Sequence, residues 1–290
     1  MGSNKTILVT GANGQLGREL RVLAASFSQY SFLFVSKEEL AIDDEVAVNT
    51  FFDSHTIDYC VNCAAYTAVD KAETEKEKAF LINATAVGNL ASICRQHNVQ
   101  LIHISTDYVF DGAAQKPYTE TAAVKPLNVY GQSKLKGEEL ALQQNPSVII
   151  IRTSWVYSAF GSNFVKTMLR LMKEKESIGV VNDQFGCPTY AADLALAILK
   201  IIQKHGEFHI PYPLFHYCNE GLISWYQFAA AIKEFTSSNC MVRSIPTTEY
   251  PTPAKRPLYT AMDTARIKEV FALSIPNWKE SLQKCLASIQ

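Results

Sequence analysis

No apolar run in the chain is long. Val148-Ile149-Ile150-Ile151 falls far short of the ~20 residues that a bilayer-crossing helix needs, so neither a membrane span nor a membrane partner is expected. An excess of one charge sign is lacking too. With 27 Lys and Arg against 28 Asp and Glu the net charge is −1, which removes the footprint that would draw the whole molecule onto nucleic acid. The seven cysteines lack a pattern: the number is odd, and Cys60-Val61-Asn62-Cys63 has neither a second pair nor flanking histidines to complete a zinc site. They read as reduced thiols. No secretory leader is expected either, since Lys5 leads straight into what reads as the strand Thr6-Ile7-Leu8-Val9-Thr10. A cytoplasmic protein is expected, and the sequon Asn83-Ala84-Thr85 then carries no meaning. Met1-Gly2 followed by Thr6 matches an N-acylation pattern, but with a strand beginning so soon a start codon or cloning remnant accounts for it.

What is present is the composition of a folded globular chain: 290 residues, 48% apolar and 19% charged, with no internal repeat or low-complexity segment. Short β-branched runs alternate with helical patterns through the first half, the signature of βα units on a parallel sheet. Strands are expected at 6–10, 31–36, 59–64, 100–105 and 147–153, with helices at 15–28, 46–55, 75–98 and 131–143. This is an α/β, Rossmann-type doubly wound sheet. After Thr153 the pattern is less regular: a helix over 164–175, an extended segment over 179–185, a helix over 191–204 and a proline-rich stretch over 250–257. The expected organisation is a dinucleotide-binding domain over 1–153 and a smaller α/β substrate lobe over 154–290, with helix 191–204 returning to the sheet.

Gly11-Ala12-Asn13-Gly14-Gln15-Leu16-Gly17 joins the first strand to the first helix, where a glycine-rich loop cradles a diphosphate. Gly11, Asn13, Gly14, Gln15, Leu16 and Gly17 are therefore candidate cofactor-binding residues. The spacing is G-x-x-G-x-x-G, so a simple turn is the competing explanation. An acidic residue that would bind a ribose 2′-hydroxyl commonly closes the second strand; here Ser36 and Lys37 stand there, a hydroxyl and a cation that suit a 2′-phosphate. NADPH is expected, with NADH possible. Small residues at the end of the third strand, in Cys63-Ala64-Ala65-Tyr66, let the backbone approach the cofactor.

Tyr130 and Lys134 fall on one helical face, and Thr106 ends the fourth strand at the edge where α/β folds bind ligands. A lysine cation beside a phenol favours the phenolate and tunes it as an acid/base. Such a pair also arises from packing alone; its joint occurrence with the glycine loop and a strand-end threonine argues for chemistry.

These motifs resemble the extended short-chain dehydrogenase/reductase superfamily. Five longer segments are similar to one branch of it, the dTDP-4-dehydrorhamnose reductases: 62–73, 105–112 (Ser-Thr-Asp-Tyr-Val-Phe-Asp-Gly), 152–157, 182–189 and 250–257. The resemblance implies reduction of the 4-keto group of dTDP-6-deoxy-L-lyxo-4-hexulose to dTDP-L-rhamnose. It implies Tyr130 as the proton donor, Lys134 as its partner on the ribose, and Thr106 on the carbonyl. Thr67, Val69, Asp107 and Trp155 would meet the sugar, Arg256 the diphosphate, and Asp43 and Asp44 the adenine end of the cofactor. The matching asparagine to Asn83 is structural in the family, and His103 reads as a buried core histidine.

Some members bind Mg2+ through three glutamates at a dimer interface. Glu19 matches one, but Ala192 and Lys279 replace the others, with Asp193 and Glu280 adjacent, so no metal is assigned and either a monomer or a homodimer is compatible. Two other functions remain open at this point. One is the same reduction on another 4-keto nucleotide sugar; the other is a regulatory, non-catalytic subunit of S-adenosylmethionine synthetase, which the Trp155 segment disfavours.

Overall fold

A computed structural model describes residues 4–204 and 212–289; Met1-Gly2 lies outside them. The first half runs β1 (Lys5–Thr10), α1 (Gln15–Ala24), β2 (Tyr30–Val35), α2 (Glu45–Ser54), β3 (Tyr59–Asn62), α3 (Val69–Ala72), α4 (Lys76–Phe80), α5 (Ala86–Gln96), β4 (Gln100–Thr106), α6 (Val129–Gln144) and β5 (Ile149–Thr153). The second half continues β6 (Val156–Tyr157), α7 (Phe164–Glu174), β7 (Ser177–Val181), β8 (Phe185–Gly186), β9 (Thr189–Tyr190), α8 (Ala191–Lys204), β10 (Leu214–His216), β11 (Ile223–Ser224), α9 (Trp225–Phe235), β12 (Met241–Ile245), α10 (Ala265–Phe271) and α11 (Trp278–Ser288).

Six strands form one parallel sheet in the order β10-β5-β4-β3-β1-β2. The central strands β3 and β5 are buried along their whole length because helices cover both faces of the sheet. Along β1, Ile7 and Val9 enter the core beneath α1 and α8, while Leu8 enters the opposite core with Val87, Leu90 and Ala91 of α5. β1 lies between β2 and β3, so the crossovers diverge there and leave a crevice beyond the strand ends. The second lobe is built from three short strand pairs and helices α7, α9 and α11 around Phe228 and Tyr157.

Several boundaries differ from expectation for identifiable reasons. The helix expected over 75–98 is interrupted by a π-helical turn, Leu81–Thr85, which turns Asn83 inward to bond Tyr66 and Ser133. β3 stops at Asn62, whose side-chain oxygen accepts from Ala64 N and bends the chain out of the sheet. The extended segment over 179–185 is two strands separated by a turn. β10, too short to show a period, adds the sixth strand beside β5, with Phe215 packed on Phe271 of α10 at 5.0 Å between ring centroids. Helix α8 packs on α1 and fills the same core as β1. Among the described residues no helix is long and apolar enough to cross a membrane.

Candidate active site

At the crevice, β1 runs into Gly11, whose φ of +62° is a left-handed conformation costly to any residue with a Cβ. A Cβ there would also stand 2.7 Å from the backbone nitrogen of Ala64, so the loop rests directly on the chain leaving β3. Gly14 opens α1 without a side-chain cap, and the helix presents its first N–H groups to the crevice, an anion site by geometry and dipole. These residues fit a nucleotide diphosphate. Asn13 and Gly14 are exposed, whereas the Leu16 side chain is buried in the core. The Gln15 side-chain oxygen accepts from Asn163 Nδ2 at 2.9 Å and ties the loop to the second lobe.

Ser36 follows β2 and is buried, its backbone N donating to Glu39 Oε2 at 2.7 Å; Lys37 is exposed beside it. Asp43 is exposed, and Asp44 caps α2 by accepting from Ala47 N at 3.0 Å. Cys63, Ala64 and Ala65 are half-buried, and burial holds the Cys63 thiol well above its ordinary range, as an inert neutral group. Tyr66 is buried, both its backbone N and O bonded to Asn83.

Tyr130 stands in the first turn of α6 and packs in the cluster that also holds Ala64 and Tyr66, which brings it to the same crevice. Asn128 caps this helix through Gly131 N at 2.8 Å and donates to Lys255 O at 2.8 Å, joining the helix start to the proline-rich loop. Burial pushes the phenol up to about 12, opposed by its hydrogen bond with Thr106. Thr106 Oγ1 donates to Asp107 Oδ1 at 3.1 Å and accepts from Tyr108 N at 3.2 Å. Lys134 is buried as well, and its Nζ donates to Ile104 O at 2.7 Å and lies 3.3 Å from His103 Nε2. Its polar contacts are therefore with β4 and not with the phenol, and the lowering of the Tyr130 phenol expected from a lysine cation is replaced by a rise caused by burial. Burial draws the amine down to about 8, with the Glu138 charge opposing.

Two carboxylates beneath this trio escape a motif-based reading or are given another role by it. Glu138, one turn beyond Lys134, takes a bidentate fork from Arg152 at 2.8 and 2.6 Å and a bond from Ser105 Oγ at 2.5 Å. It locks α6 to β4 and β5, the elements that carry Tyr130, Thr106 and Thr153. Asp107 is buried and burial raises its carboxyl from 3.8 to about 7. A raised folded-state value means that this group's contribution to stability is complete below about pH 4 and is lost as pH rises through about 7. Asp107→Asn should therefore gain stability over wild type progressively between those limits and no further above them, by on the order of a few kcal/mol at the plateau. Thermal denaturation against pH measures it; a pH-independent difference would contradict the burial assignment.

On the substrate side, Arg256 is committed to an internal partner. Its guanidinium forks onto Asp70 at 2.8 Å on both arms, and Ala254 N donates to the same carboxylate at 3.1 Å, which lowers the Asp70 carboxyl. That pair clamps the proline-rich loop over α3. Thr67 is exposed and Val69 half-buried at the start of α3. Trp155 sits at φ +47°, stacked on Trp225 at 3.5 Å, and Gly186 also lies directly against the indole, where a Cβ would stand 2.7 Å from Cε2, so the ring is largely covered. Glu19 is turned inward, accepting from Ser158 Oγ at 2.5 Å, and Asp193 accepts from Asn219 and Ser281. Among the described residues no group of three His, Cys, Asp or Glu side chains is arranged to hold a metal.

Comparison with known proteins adds relatives to this geometry. The family model of the RmlD substrate-binding domain matches residues 5–290. A dTDP-4-dehydrorhamnose reductase of Aggregatibacter actinomycetemcomitans is 40% identical, covering 97% of this chain and 98% of that protein. Spore coat polysaccharide biosynthesis protein SpsK of Bacillus subtilis is 41% identical over 97% of this chain and 96% of its own. Among solved structures, a dTDP-4-dehydrorhamnose reductase from Clostridium acetobutylicum superposes with a TM-score of 0.93 at 40% identity, covering 98% of this chain and 99% of that one. Another from Bacillus anthracis, in complex with NADP, gives 0.93 at 36% identity over the same shares.

Proposed function

The chain belongs to the RmlD substrate-binding-domain family, and from that premise we propose that it reduces the 4-keto group of dTDP-6-deoxy-L-lyxo-4-hexulose to dTDP-L-rhamnose with hydride from NAD(P)H. The observation that carries the reading is the convergence of Thr106, Tyr130 and Lys134 on the crevice formed by Gly11 and Ala64, beside an uncapped helix N-terminus.

The bound nicotinamide supplies the hydride. The chain's own groups do the rest. The N–H groups at the start of α1 hold the diphosphate, and Gly11 lets the backbone come close to it. Tyr130 donates its phenolic proton to the C4 oxygen as charge develops there, and Thr106 hydrogen-bonds the same oxygen. Because the phenol is held up to about 12, it rests protonated at neutral pH and is ready as an acid. Lys134 lies one turn along the helix, placed to meet the ribose hydroxyls and to return a proton to Tyr130. Thr67, Val69, Asp107 and the uncovered part of Trp155 line the sugar end. Arg256, held in place by its fork to Asp70, would turn its remaining N–H groups to the substrate diphosphate.

We divide the labour along the chain: 1–153, joined by α8 and β10, hold the cofactor, and the remainder of 154–290 forms the substrate lobe. Exposed Lys37 and the Ser36 hydroxyl favour NADPH over NADH. The protein works in the cytoplasm as a monomer or homodimer. Cofactor oxidation with the 4-keto sugar tests this: turnover is expected, faster with NADPH than with NADH, and undiminished by EDTA. Tight cofactor binding without turnover on this sugar would overturn the substrate assignment, and loss of rate with EDTA would overturn the metal-free site.

A further inference from the structure

His103 lies in the middle of the sheet, fully buried, with a polar group against each ring nitrogen. The polarity of that contact chain can be read from its far end. The backbone N–H of Ala64, which can only donate, meets the Asn62 side chain at 3.2 Å, so the atom there is the carbonyl Oδ1; it also accepts from Thr10 Oγ1 at 2.7 Å. Asn62 Nδ2, a donor only, then points at His103 Nδ1 at 3.1 Å. Nδ1 must accept, which leaves the proton of the neutral ring on Nε2. Burial keeps the ring neutral by holding its value far below the ordinary one. Nε2–H therefore faces Lys134 Nζ at 3.3 Å. An ammonium has no lone pair to receive it, whereas an amine has one.

We propose that His103 is a positioning residue for Lys134, favouring the amine form of Nζ by donating Nε2–H to its lone pair while Ile104 O takes one of the amine hydrogens. To carry a third proton, Lys134 must break this contact or force the ring into its other tautomer, which sets Nδ1–H against Asn62 Nδ2. Two donors would then meet. The other titratable groups near Nζ do not undo the arrangement. Glu138 on the same helix favours the ammonium, but its carboxylate is already bound by Arg152 and Ser105, and Tyr130 is neutral. Burial lowers Lys134 independently of this contact, so the inference rests on the geometry. In the reaction, the consequence falls on proton return. After Tyr130 gives its proton to the substrate oxygen, an ammonium charged from water passes a proton to the phenolate and becomes the amine that His103 holds.

The inference rests on the reading of Tyr130 and Lys134 as the reducing site, but its test needs no turnover, so the two can fail separately. Side-chain NMR on the full-length protein reads it directly. In wild type the 15N shifts of His103 should show the Nε2–H tautomer; an Nδ1–H ring would overturn the proposal. The 13Cε resonance of Lys134, assigned by its loss in Lys134→Met, should titrate near about 8 and move up by at least about one pH unit in His103→Phe. His103→Gln, whose amide keeps an N–H toward Nζ, should stay near the wild-type midpoint. Asn62→Asp removes the donor at Nδ1 and should flip the tautomer in a nearly isosteric protein, which keeps the test decisive if His103→Phe does not fold. An unshifted Lys134 midpoint in a folded His103→Phe, or an unchanged tautomer in Asn62→Asp, would overturn it.

Discussion

Tyr130→Phe turns over roughly 10²–10⁴-fold more slowly than wild type while binding NADPH with unchanged affinity. The expectation follows from where the hydroxyl sits. The ring packs with Ala64 and Tyr66, and its edge meets Tyr108 at 5.7 Å between centroids; phenylalanine preserves all of this. What goes is the bond with Thr106 and the proton for the C4 oxygen. The diphosphate cradle, on α1, is untouched. Single-turnover kinetics and cofactor titration on the same sample separate the two effects. A fall in both would mean that the ring, not the proton, matters. Wild-type turnover by the variant would remove Tyr130 from the chemistry.

Glu138→Ala loses about 3–5 kcal/mol of stability, the cost of leaving a buried guanidinium without its partner. Arg152 and Glu138 side chains are each 4% exposed, so little water reaches either charge. Arg152 also lies over the Phe110 ring at 5.2 Å, a contact that cannot replace the carboxylate. The double replacement Glu138→Leu with Arg152→Met recovers most of the loss, because a buried pair is worth little net against an apolar pair of similar volume. Denaturant midpoints of the two singles and the double give the coupling. Additive losses would show that the fork contributes nothing specific. Since Ser105 and Thr106 are neighbours, a folded Glu138→Ala also loses kcat through the placement of Thr106.

Local features of this molecule were legible in the sequence and long-range ones were not. β1, the glycine loop and α1 are contiguous, so a period-two run, a loop and a helix start could be read as one unit, and their geometry follows. The Thr106, Tyr130 and Lys134 trio was likewise recoverable, since each occupies the end or the first turns of a regular element. Asn83 could be marked as structural by resemblance, but not the π-helical turn that delivers it, because its partners Tyr66 and Ser133 belong to other elements. Glu138 reads as one more charge on a helix until β5 brings Arg152 beneath it. Arg256 reads as a free phosphate ligand because nothing nearby in sequence announces Asp70, and Trp155 as a free sugar platform because Trp225 is equally distant along the chain. Placing Lys134 against the phenol rested on charge alone; the carbonyl of Ile104 and the ring of His103 compete for it within the fold.

The central claim is that hydride passes from the cofactor in the crevice to C4 of the sugar while Tyr130 protonates the oxygen. Product analysis with NADPH deuterated at its transferable hydrogen measures this most directly. The account predicts dTDP-L-rhamnose carrying deuterium at C4 alone, with the label lost from the cofactor in step. Unlabelled product, label at another carbon, or a product that is not dTDP-L-rhamnose would contradict it.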